Sequence, residues 1–489
     1  MASSQWTYKT AREMSKALAA KKVSAVELTE DAIARIETCD GKINAMCARD
    51  FSRAREAAKA ADQAIARGDT RPLTGIPMTV KESYNIAGLP TTWGFVPQKD
   101  YIARDDALIV TRVKTAGAVI LGKTNVPVGL ADWQSYNEIY GTTNNPFDLG
   151  RTPGGSSGGS SAALAAGYGP LSLGSDIGGS LRVPAHYCGV YAHKPTLPVV
   201  PGRGHTPPPF PPLPFESDLA VVGPMSRSAG DLSDLLDVIA GPDELDAGRG
   251  FKLALPAPRH KALKDFRILV IDDHPLMPTA ASVRGAIDTL AGQLVKAGAK
   301  VDRESRLMPD IATSSRLYMR LLLSVLAANF PKEAYDGMKI GAANLKPDDM
   351  SLAAERLRGA TMTHRDWVMA NNQRYGLRAQ WRALFGEFDA VICPIMPTPA
   401  YPHDHLPDQN ARKIIVDNQA YHYNDQLLWP GIATCPGLPA TSIPVAMSPE
   451  GLPVGVQIVG PWLEDRTPLK LAELIEQNFG GFVPPPAFA

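Results

Sequence analysis

Cysteine is scarce in this sequence, and neither charge is in excess. Five of the 489 residues are cysteine, an odd number with no C-x-x-C spacing. This excludes a disulfide framework or a zinc ribbon as the basis of the fold and favours a reducing compartment, so we expect a cytoplasmic protein. The 50 basic residues balance the 50 acidic ones. The chain therefore has no net basic field that would attract nucleic acid or an acidic membrane surface.

Long apolar runs and metal-binding motifs are also missing. The N-terminal segment has no apolar stretch after its first basic residues, and no later segment reaches about 18 uninterrupted apolar residues. We therefore expect neither an export signal nor a membrane span. The histidines provide one closely spaced pair, His403 and His405, in a proline-flanked loop, and there is no H-E-x-x-H motif. We expect no metal and no other cofactor.

The composition is that of a globular protein with a substantial core, 44% hydrophobic and 20% charged. Residues 7–68 have a helical pattern, with a capping box from Ser24 to Glu27 ahead of a periodic apolar run. From Leu73 onward, short apolar runs that predict strands alternate with helical patterns. The alternation predicts an α/β fold in which a central mixed β-sheet is wrapped by α-helices.

We interpret the whole chain as a single large domain. Its consecutive segments are N-terminal helices (1–70), a core rich in glycine and serine (71–200), a partly helical region that covers a pocket (201–390), and C-terminal strands with a helix (391–489).

The core segment contains GGSSGGSSAALAAG followed by LSLGSDIGGSLRVPAHYCGVYAHKPT. Glycine allows positive φ, so the backbone N–H groups of Ile177, Gly178, Gly179 and Ser180 can converge on one point. Such a point suits the oxyanion of a tetrahedral intermediate, and one donor commonly contributes about 3 to 4 kcal/mol. The pattern therefore predicts an oxyanion hole at residues 177–180.

These segments resemble the signature of the amidase signature family. TGIPMTVKES resembles the strand that carries the family's catalytic lysine, and CPGLPATSIPVAMSPEGLPVGVQIVG resembles its closing strands. The resemblance extends over nearly the whole chain, with the motifs in order, and is greatest to stand-alone bacterial-type amidases. It implies the amidase signature fold and a Ser-cisSer-Lys triad formed by Ser180 as nucleophile, Ser156 after a cis peptide bond, and Lys81.

The chemistry of such a triad explains why these residue types are needed. A serine hydroxyl is a poor nucleophile until a neighbouring base takes its proton. Lysine is that base only when neutral, so burial has to lower its pKa from about 10.4. Lys81 ends an apolar strand, which suits desolvation. Ser156 would pass the proton between Lys81 and Ser180, and an acyl-enzyme would form on Ser180.

Other polar residues of the core have structural interpretations as well. Serine is common at helix caps and turns, so composition alone does not separate Ser156 from its neighbour Ser157. Asp176 can orient the site through hydrogen bonds. Arg182 can hold the loop or a substrate carboxylate, although structural pairing with another residue is the commoner role for each of the two charges. We therefore expect Ser157, Asp176 and Arg182 to support the site from outside.

Aromatic residues in loops around the core motifs predict an apolar substrate pocket, with Trp133, Tyr136 and Phe210 as its candidates. Exposed aromatic residues also serve as ordinary packing residues of loops. The proline-dense stretch at 198–216 predicts an extended loop. This loop is either a rigid surface excursion or a pocket wall that includes Leu213 and Phe215.

Two other enzyme classes compete with this interpretation. Overlapping G-x-S-x-G patterns at residues 154–159 suggest an α/β-hydrolase, but no buried strand precedes them and no HGGG-type loop is present. The amidotransferase subunit of the same family shares the triad; it acts as a glutaminase in a complex that modifies aminoacyl-tRNA. The proline-dense loop and the DLAVVGPM segment resemble the stand-alone amidases more closely.

The sequence thus predicts a serine hydrolase that cleaves the C–N bond of small linear amides, including aryl amides, anilides or carbamates. Esters and carbamates present the same electrophile, so esterase or urethanase side activity is expected. The partners are a small amide and water, without nucleic acid or membrane. The oligomeric state stays open, with a homodimer as the commonest arrangement of soluble assemblies.

Overall fold

An eleven-stranded mixed β-sheet runs through the described residues, 4–214 and 217–489, of this computed structural model. Two short hairpins, β4–β5 and β12–β13, lie outside that sheet. The strands in chain order are β1 Met46–Arg49, β2 Pro77–Lys81, β3 Val119–Thr124, β4 Tyr136–Asn137, β5 Gly141–Thr142, β6 Leu171–Asp176, β7 Tyr191–Lys194, β8 Val221–Ser226, β9 Arg267–Val270, β10 Lys300–Asp302, β11 Ala390–Pro394, β12 Lys413–Val416, β13 Gln419–His422, β14 Ala440–Met447 and β15 Pro453–Val459.

The strand order of the large sheet is β1-β3-β2-β6-β8-β7-β14-β15-β11-β9-β10. Strands β3, β2 and β6 are parallel to one another, as are β11, β9 and β10, and the remaining pairs are antiparallel. The predicted single-domain α/β fold with a mixed sheet is confirmed.

Helices cover both faces of the sheet. They are α1 Ala11–Ala19, α2 Ala25–Ile43, α3 Phe51–Arg67, α4 Leu108–Thr115, α5 Gly158–Ala165, α6 Arg182–Cys188, α7 Ala229–Ile239, α8 Ala281–Lys296, α9 Ile311–Leu326, α10 Lys332–Ala343, α11 Leu352–Ala360, α12 His364–Glu387, α13 Leu428–Thr434 and α14 Arg466–Phe479. The capping box predicted at Ser24 and Glu27 begins α2, because each residue's side chain satisfies a backbone N–H of the other.

Strand β11 shows why two helical layers are needed. Successive side chains of a strand point to opposite faces, and this strand is apolar on both. Ala390 and Ile392 pack into the core that contains α2, α7, α8 and α14, whereas Val391 and Cys393 pack into the core that contains α9, α12 and α13.

The continuous helical pattern expected for residues 7–68 was wrong in one place. Residues Met46–Arg49 form β1 between α2 and α3 and pair with β3 at the edge of the sheet. The pairing partner lies more than seventy residues further along the chain, as in the register Met46 to Thr124. A local pattern does not reveal a strand that depends on so distant a partner.

Helix α9 and the turn after it are unusually apolar. Residues Ile311–Asn329 form the one helix of the described chain that is long and apolar enough to cross a membrane, and 44% of its most apolar stretch is buried inside the fold. Its inner face carries Leu317, Tyr318, Leu321 and Leu322 and packs against α11, α12 and α13. Helices in protein cores can be equally long and apolar, and this helix contributes to a core.

Candidate active site

The candidate catalytic residues are brought together by the ends of two neighbouring strands and the start of two helices. Lys81 ends β2, and β2 pairs in parallel with β6, which ends at Asp176. The carboxyl ends of parallel strands meet at the same edge of a sheet. Ser180 lies in the turn from β6 to α6, and Ser156 lies just before α5.

Lys81 is completely buried and contacts two hydroxyl groups. Its Nζ donates to Ser156 Oγ at 2.8 Å and to Ser175 Oγ at 2.9 Å. Burial lowers the pKa of Lys81 to about 7, although the nearby charges of Asp176 and Glu82 act in the opposite direction. A substantial neutral fraction near neutral pH gives the amine a free lone pair. The desolvated lysine that the sequence predicts at this strand end is present.

Ser175 was not foreseen from the sequence. It is one of several hydroxyls in a segment rich in serine, and only the packing of β6 beside β2 shows that it faces Lys81. No signal in the sequence separates Ser175 from its neighbours, because the contact depends on the pairing of β6 with β2.

The backbone segments that carry Ser156 and Ser180 are adjacent, but no hydrogen bond joins the two hydroxyl groups among the described residues. The peptide bond between Gly155 and Ser156 is cis. The Ser157 N–H donates to the Ser180 carbonyl at 3.2 Å, which connects the two backbone segments. Within residues 4–214 and 217–489, the Ser180 hydroxyl makes no hydrogen bond, and Lys81 is the single partner of the Ser156 hydroxyl. The Ser157 hydroxyl instead contacts the backbone of Ser175 at 3.3 and 3.4 Å.

The backbone at residues 177–180 forms the expected turn, with Gly179 at a φ of +96°. The Gly179 N–H donates to Asp176 Oδ1 at 2.8 Å, so it is already engaged. The part of the structure that is described contains no acceptor for the N–H groups of Ile177, Gly178 and Ser180. Of the four predicted donors, the Gly179 N–H is therefore the one that already has an acceptor, and the oxyanion hole at 177–180 stays a prediction.

Asp176 and Arg182 form a completely buried ion pair, with Nη2–Oδ1 and Nε–Oδ2 distances of 2.9 and 3.0 Å. Burial raises the pKa of Asp176, but the charge and hydrogen bonds of Arg182 outweigh it, and the net shift is downward. Arg182 also donates to three groups behind the site, the Pro430 carbonyl, Gln457 Oε1 and Thr434 Oγ1. The guanidinium is thus used in structural pairing.

The three aromatic pocket candidates lie in different environments. Trp133 is buried, and its indole N–H donates to the Gly178 carbonyl at 3.0 Å. Tyr136 stacks on His405 with ring centroids 3.8 Å apart. Phe210 is 59% exposed on the proline-dense loop, as is Leu213 at 58%; Phe215 lies outside the described residues. A pocket role for these side chains stays a prediction.

A small cavity of about 50 Å³ lies at the same sheet edge as Lys81 and Asp176. Its walls include His205, Val221 and Val222, and Val221 pairs with Asp176 across the sheet. His205 Nε2 is 3.0 Å from Ser83 Oγ. Burial, together with the charge of Lys81, lowers the pKa of His205 to about 3, so this ring is neutral at working pH.

No group of three metal-binding side chains is found in the described ranges. Of the closely spaced histidines, His403 Nε2 lies 3.1 Å from Asn144 Oδ1, and His405 stacks on Tyr136.

The chain belongs to the amidase signature family. The family model described as Amidase matches residues 27–469. Its members act on C–N bonds as hydrolases or as amidotransferases.

The similar proteins include both an amidotransferase subunit and a hydrolase. A glutamyl-tRNA(Gln) amidotransferase subunit from Anaeromyxobacter sp. (strain K) is 33% identical over 97% of this chain and 97% of the relative. A solved vestigial protein complex, which reveals the evolutionary origins of an s-triazine catabolic enzyme, contains a chain that is 30% identical, with a TM-score of 0.80 over 96% of this chain and 98% of that one. The 6-aminohexanoate cyclic dimer hydrolase is 25% identical, with a TM-score of 0.75 over 97% of each chain.

Proposed function

We propose that this protein is a stand-alone serine amidase that cleaves small linear amides through an acyl-enzyme on Ser180. The observation that supports this most directly is the contact of Lys81 with the Ser156 hydroxyl at 2.8 Å in a buried site where the pKa of the lysine is about 7. A neutral amine that contacts a hydroxyl can act as a general base at physiological pH.

In the acylation step, neutral Lys81 takes the proton of Ser156 while Ser156 takes the proton of Ser180. The Ser180 oxygen then attacks the amide carbonyl carbon. The relay requires a hydrogen bond between the two serine hydroxyls, and we propose that it forms when the Ser180 side chain turns toward Ser156 in the substrate complex. The developing oxyanion is held by the predicted donors that have no other acceptor among the described residues, the N–H groups of Ile177, Gly178 and Ser180. The protonated lysine returns the proton through Ser156 to the departing amine.

In the deacylation step, water replaces the amine. The same base takes a proton from water, the resulting hydroxide attacks the acyl carbon, and the proton returns to Ser180. The products are a carboxylic acid and an amine. Esters and carbamates present the same carbonyl carbon, so we propose esterase and urethanase side activity. The five cysteines are all unpaired, which supports our proposal of a reducing cytoplasmic location.

The amidotransferase relatives favour a second candidate function. At 33% identity over 97% of the chain, the glutamyl-tRNA(Gln) amidotransferase relative is similar enough to suggest a glutaminase that works with partner proteins. The triad chemistry is the same in both cases, but ammonia from glutamine would then be delivered to another protein of the complex.

One panel assay separates the two candidates. The purified chain, without metal or partner protein, is tested on aryl and aliphatic amides, anilides, carbamates, activated esters and glutamine. Ser180→Ala is the inactive comparison. Ser161→Ala is the matched control, because Ser161 is a buried serine on α5 whose hydroxyl has no hydrogen-bond partner among the described residues.

We expect the wild type and Ser161→Ala to hydrolyse the same amides and Ser180→Ala to lose this activity by at least about a thousandfold. The glutamine assay is then repeated with candidate partner proteins added, and glutamine turnover that appears only in that repeat would favour the amidotransferase. Full hydrolysis by Ser180→Ala would contradict both candidates.

A further inference from the structure

In the turn at 177–180, the middle peptide unit is hydrogen-bonded at both its carbonyl and its N–H, whereas the units on either side are hydrogen-bonded at the carbonyl alone. The Gly178 carbonyl accepts from Trp133, and the N–H of the same peptide, on Gly179, donates to Asp176. This unit is therefore satisfied at both ends. The units before and after it are held only by their carbonyls, and their N–H groups, on Gly178 and Ser180, have no acceptor in the described parts of the chain.

In a trans peptide the C=O and N–H groups point in opposite directions. The Gly179 carbonyl accepts from the Val183 N–H at 2.7 Å, the first hydrogen bond of α6, which turns the Ser180 N–H away from the helix. The Ile177 carbonyl accepts from the Tyr318 hydroxyl at 2.8 Å. This bond turns the Gly178 N–H away from Tyr318 in the same manner. Of these two donors of the candidate oxyanion hole, the Ser180 N–H is thus oriented by helix geometry and the Gly178 N–H by a side chain.

Tyr318 is held rigidly enough for this task. Its side chain lies on α9, is completely buried, and packs in the core with Trp429 and Leu428 of α13. Its ring lies against Gly431, where an added Cβ would come within 2.4 Å of the ring atom Cδ1. Only a glycine at this position of α13 lets the ring approach so closely.

We propose that Tyr318 is a positioning residue that orients the Gly178 N–H toward the substrate oxyanion. This inference rests on the proposed acyl-enzyme chemistry at Ser180, and it extends the active site to α9. Tyr318 acts through the backbone and does not touch the reacting atoms. Loss of its hydroxyl leaves the 177–178 peptide free to rotate, so the donor is no longer fixed when the oxyanion develops.

The test compares Tyr318→Phe with the wild type in the full-length enzyme. The measurements are kcat and KM for the best amide of the panel and the inhibition constant of phenylboronic acid, which forms a tetrahedral adduct with a reactive serine. We expect kcat to fall about tenfold to a hundredfold, KM to change less than about twofold, and the inhibition constant to rise in parallel with the fall in kcat. A purely structural role would not produce this split.

Two further variants make the result specific. Gly431→Ala displaces the Tyr318 ring and should reproduce the same split with the hydroxyl still present. Tyr168→Phe is the matched control, because Tyr168 is also completely buried and its hydroxyl has no hydrogen-bond partner among the described residues. It should keep wild-type kcat and wild-type boronate inhibition.

The outcomes distinguish this inference from the proposed function. If Ser180→Ala is inactive and Tyr318→Phe matches the wild type in kcat and boronate inhibition, the positioning role is wrong and the amidase proposal stands. A loss that appears only in KM would also contradict the role of Tyr318. If Ser180→Ala retains full activity and full boronate inhibition, the proposed function itself fails.

Discussion

Two buried lysines have pKa values of about 7, and only one of them contacts a serine hydroxyl. Burial lowers the pKa of Lys81 and also that of Lys194, where the charge of Arg182 contributes in the same direction. The Lys194 amine donates to the Pro195 carbonyl at 3.0 Å and contacts no hydroxyl within the described residues. Mutation of Lys81 and Lys194 in turn can therefore show which of the two lysines is the general base that ionises near pH 7.

We expect kcat/KM to be constant above about pH 8 and to fall about tenfold per pH unit below about pH 6, because protonation near pH 7 removes the lone pair of Lys81. Lys194→Met should keep this acidic limb at the same pH, whereas Lys81→Met should reduce the rate by at least about a thousandfold. The measurement is the pH–rate profile of each enzyme. An acidic limb that shifts or disappears in Lys194→Met would mean that the ionisation belongs to Lys194 and would contradict its assignment to Lys81.

Gly179 is the residue of the turn that tolerates substitution least. It has a φ of +96°, and an added Cβ would lie 2.7 Å from a methyl of Val183. We expect Gly179→Ala to lower kcat about a hundredfold and stability by about 1 to 3 kcal/mol, since both the strain and the clash displace the neighbouring donors. Gly292→Ala in α8, where the added Cβ has open space, should keep wild-type kcat. Equal kcat in both variants would mean that the turn adapts without loss.

At the residue level, the sequence predicted the site residues that lie in recognisable motifs. It did not predict residues that reach the site from distant parts of the chain. Lys81 and Ser156 were placed by resemblance, and they are in contact. Tyr318 lies in a helix whose pattern indicates only an apolar face, and its contact spans 141 positions of the chain. The contact of the Trp133 indole with the Gly178 carbonyl was likewise not foreseen, and its predicted pocket role stays a prediction.

At the element scale, the loop before β4 and the hairpin β12–β13 are joined by a buried ion pair. Arg412, 1% exposed, donates to Asp132 at 2.5 Å and to the Tyr136 hydroxyl at 2.7 Å. The backbone of Asp132 lies directly against Gly155, where an added Cβ would meet its carbonyl oxygen at 2.4 Å. The hairpin therefore supports the segment that packs on the residue before Ser156.

We expect Arg412→Met to lower the unfolding free energy by about 3 to 5 kcal/mol, because it leaves Asp132 buried without a counter-charge. Adding Asp132→Asn to that variant should recover part of the loss. Arg303→Met is the control; its side chain is 41% exposed, and its partners Asp272 and Asp288 are 28% and 60% exposed, so each pair should contribute less than about 1 kcal/mol. Denaturant unfolding measures all three. Equal losses for Arg412→Met and Arg303→Met would contradict the structural role of the buried pair.

Strands that are fully buried were predicted from their apolar runs, and partly exposed strands were not. The segment GIPMTVK contains β2, because a short apolar run bounded by turn residues is sufficient to recognise a buried strand. Strands β12 and β13 are four residues each, and half of their residues or more are partly or fully exposed. Their identity depends on pairing with each other, which the sequence pattern does not display.

At the scale of the whole molecule, two buried histidines join separate parts of the fold in their neutral form. His186 of α6 accepts from the Gly455 N–H at Nδ1 and lies 3.0 Å from the Thr398 carbonyl at Nε2. His274 accepts from the Leu276 N–H at Nδ1 and lies 3.0 Å from Ser315 Oγ at Nε2. A proton at Nδ1 would face a backbone N–H that already donates there. Burial lowers the pKa of both rings to about 4.

This predicts a loss of stability in mild acid. The unfolded chain binds protons at these rings below about pH 6.5, whereas the folded chain does so only near pH 4. Each ring therefore lowers the unfolding free energy by about 1.4 kcal/mol per pH unit as the pH falls from 6.5 toward 4. Denaturant unfolding at pH 7, 6 and 5 measures this slope. His274→Gln should reduce the slope by about 1.4 kcal/mol per pH unit, the contribution of one proton. His364 is exposed, and His364→Gln should leave the slope unchanged. If His274→Gln left the slope equal to that of the wild type, the buried neutral ring would not be the source of the acid sensitivity.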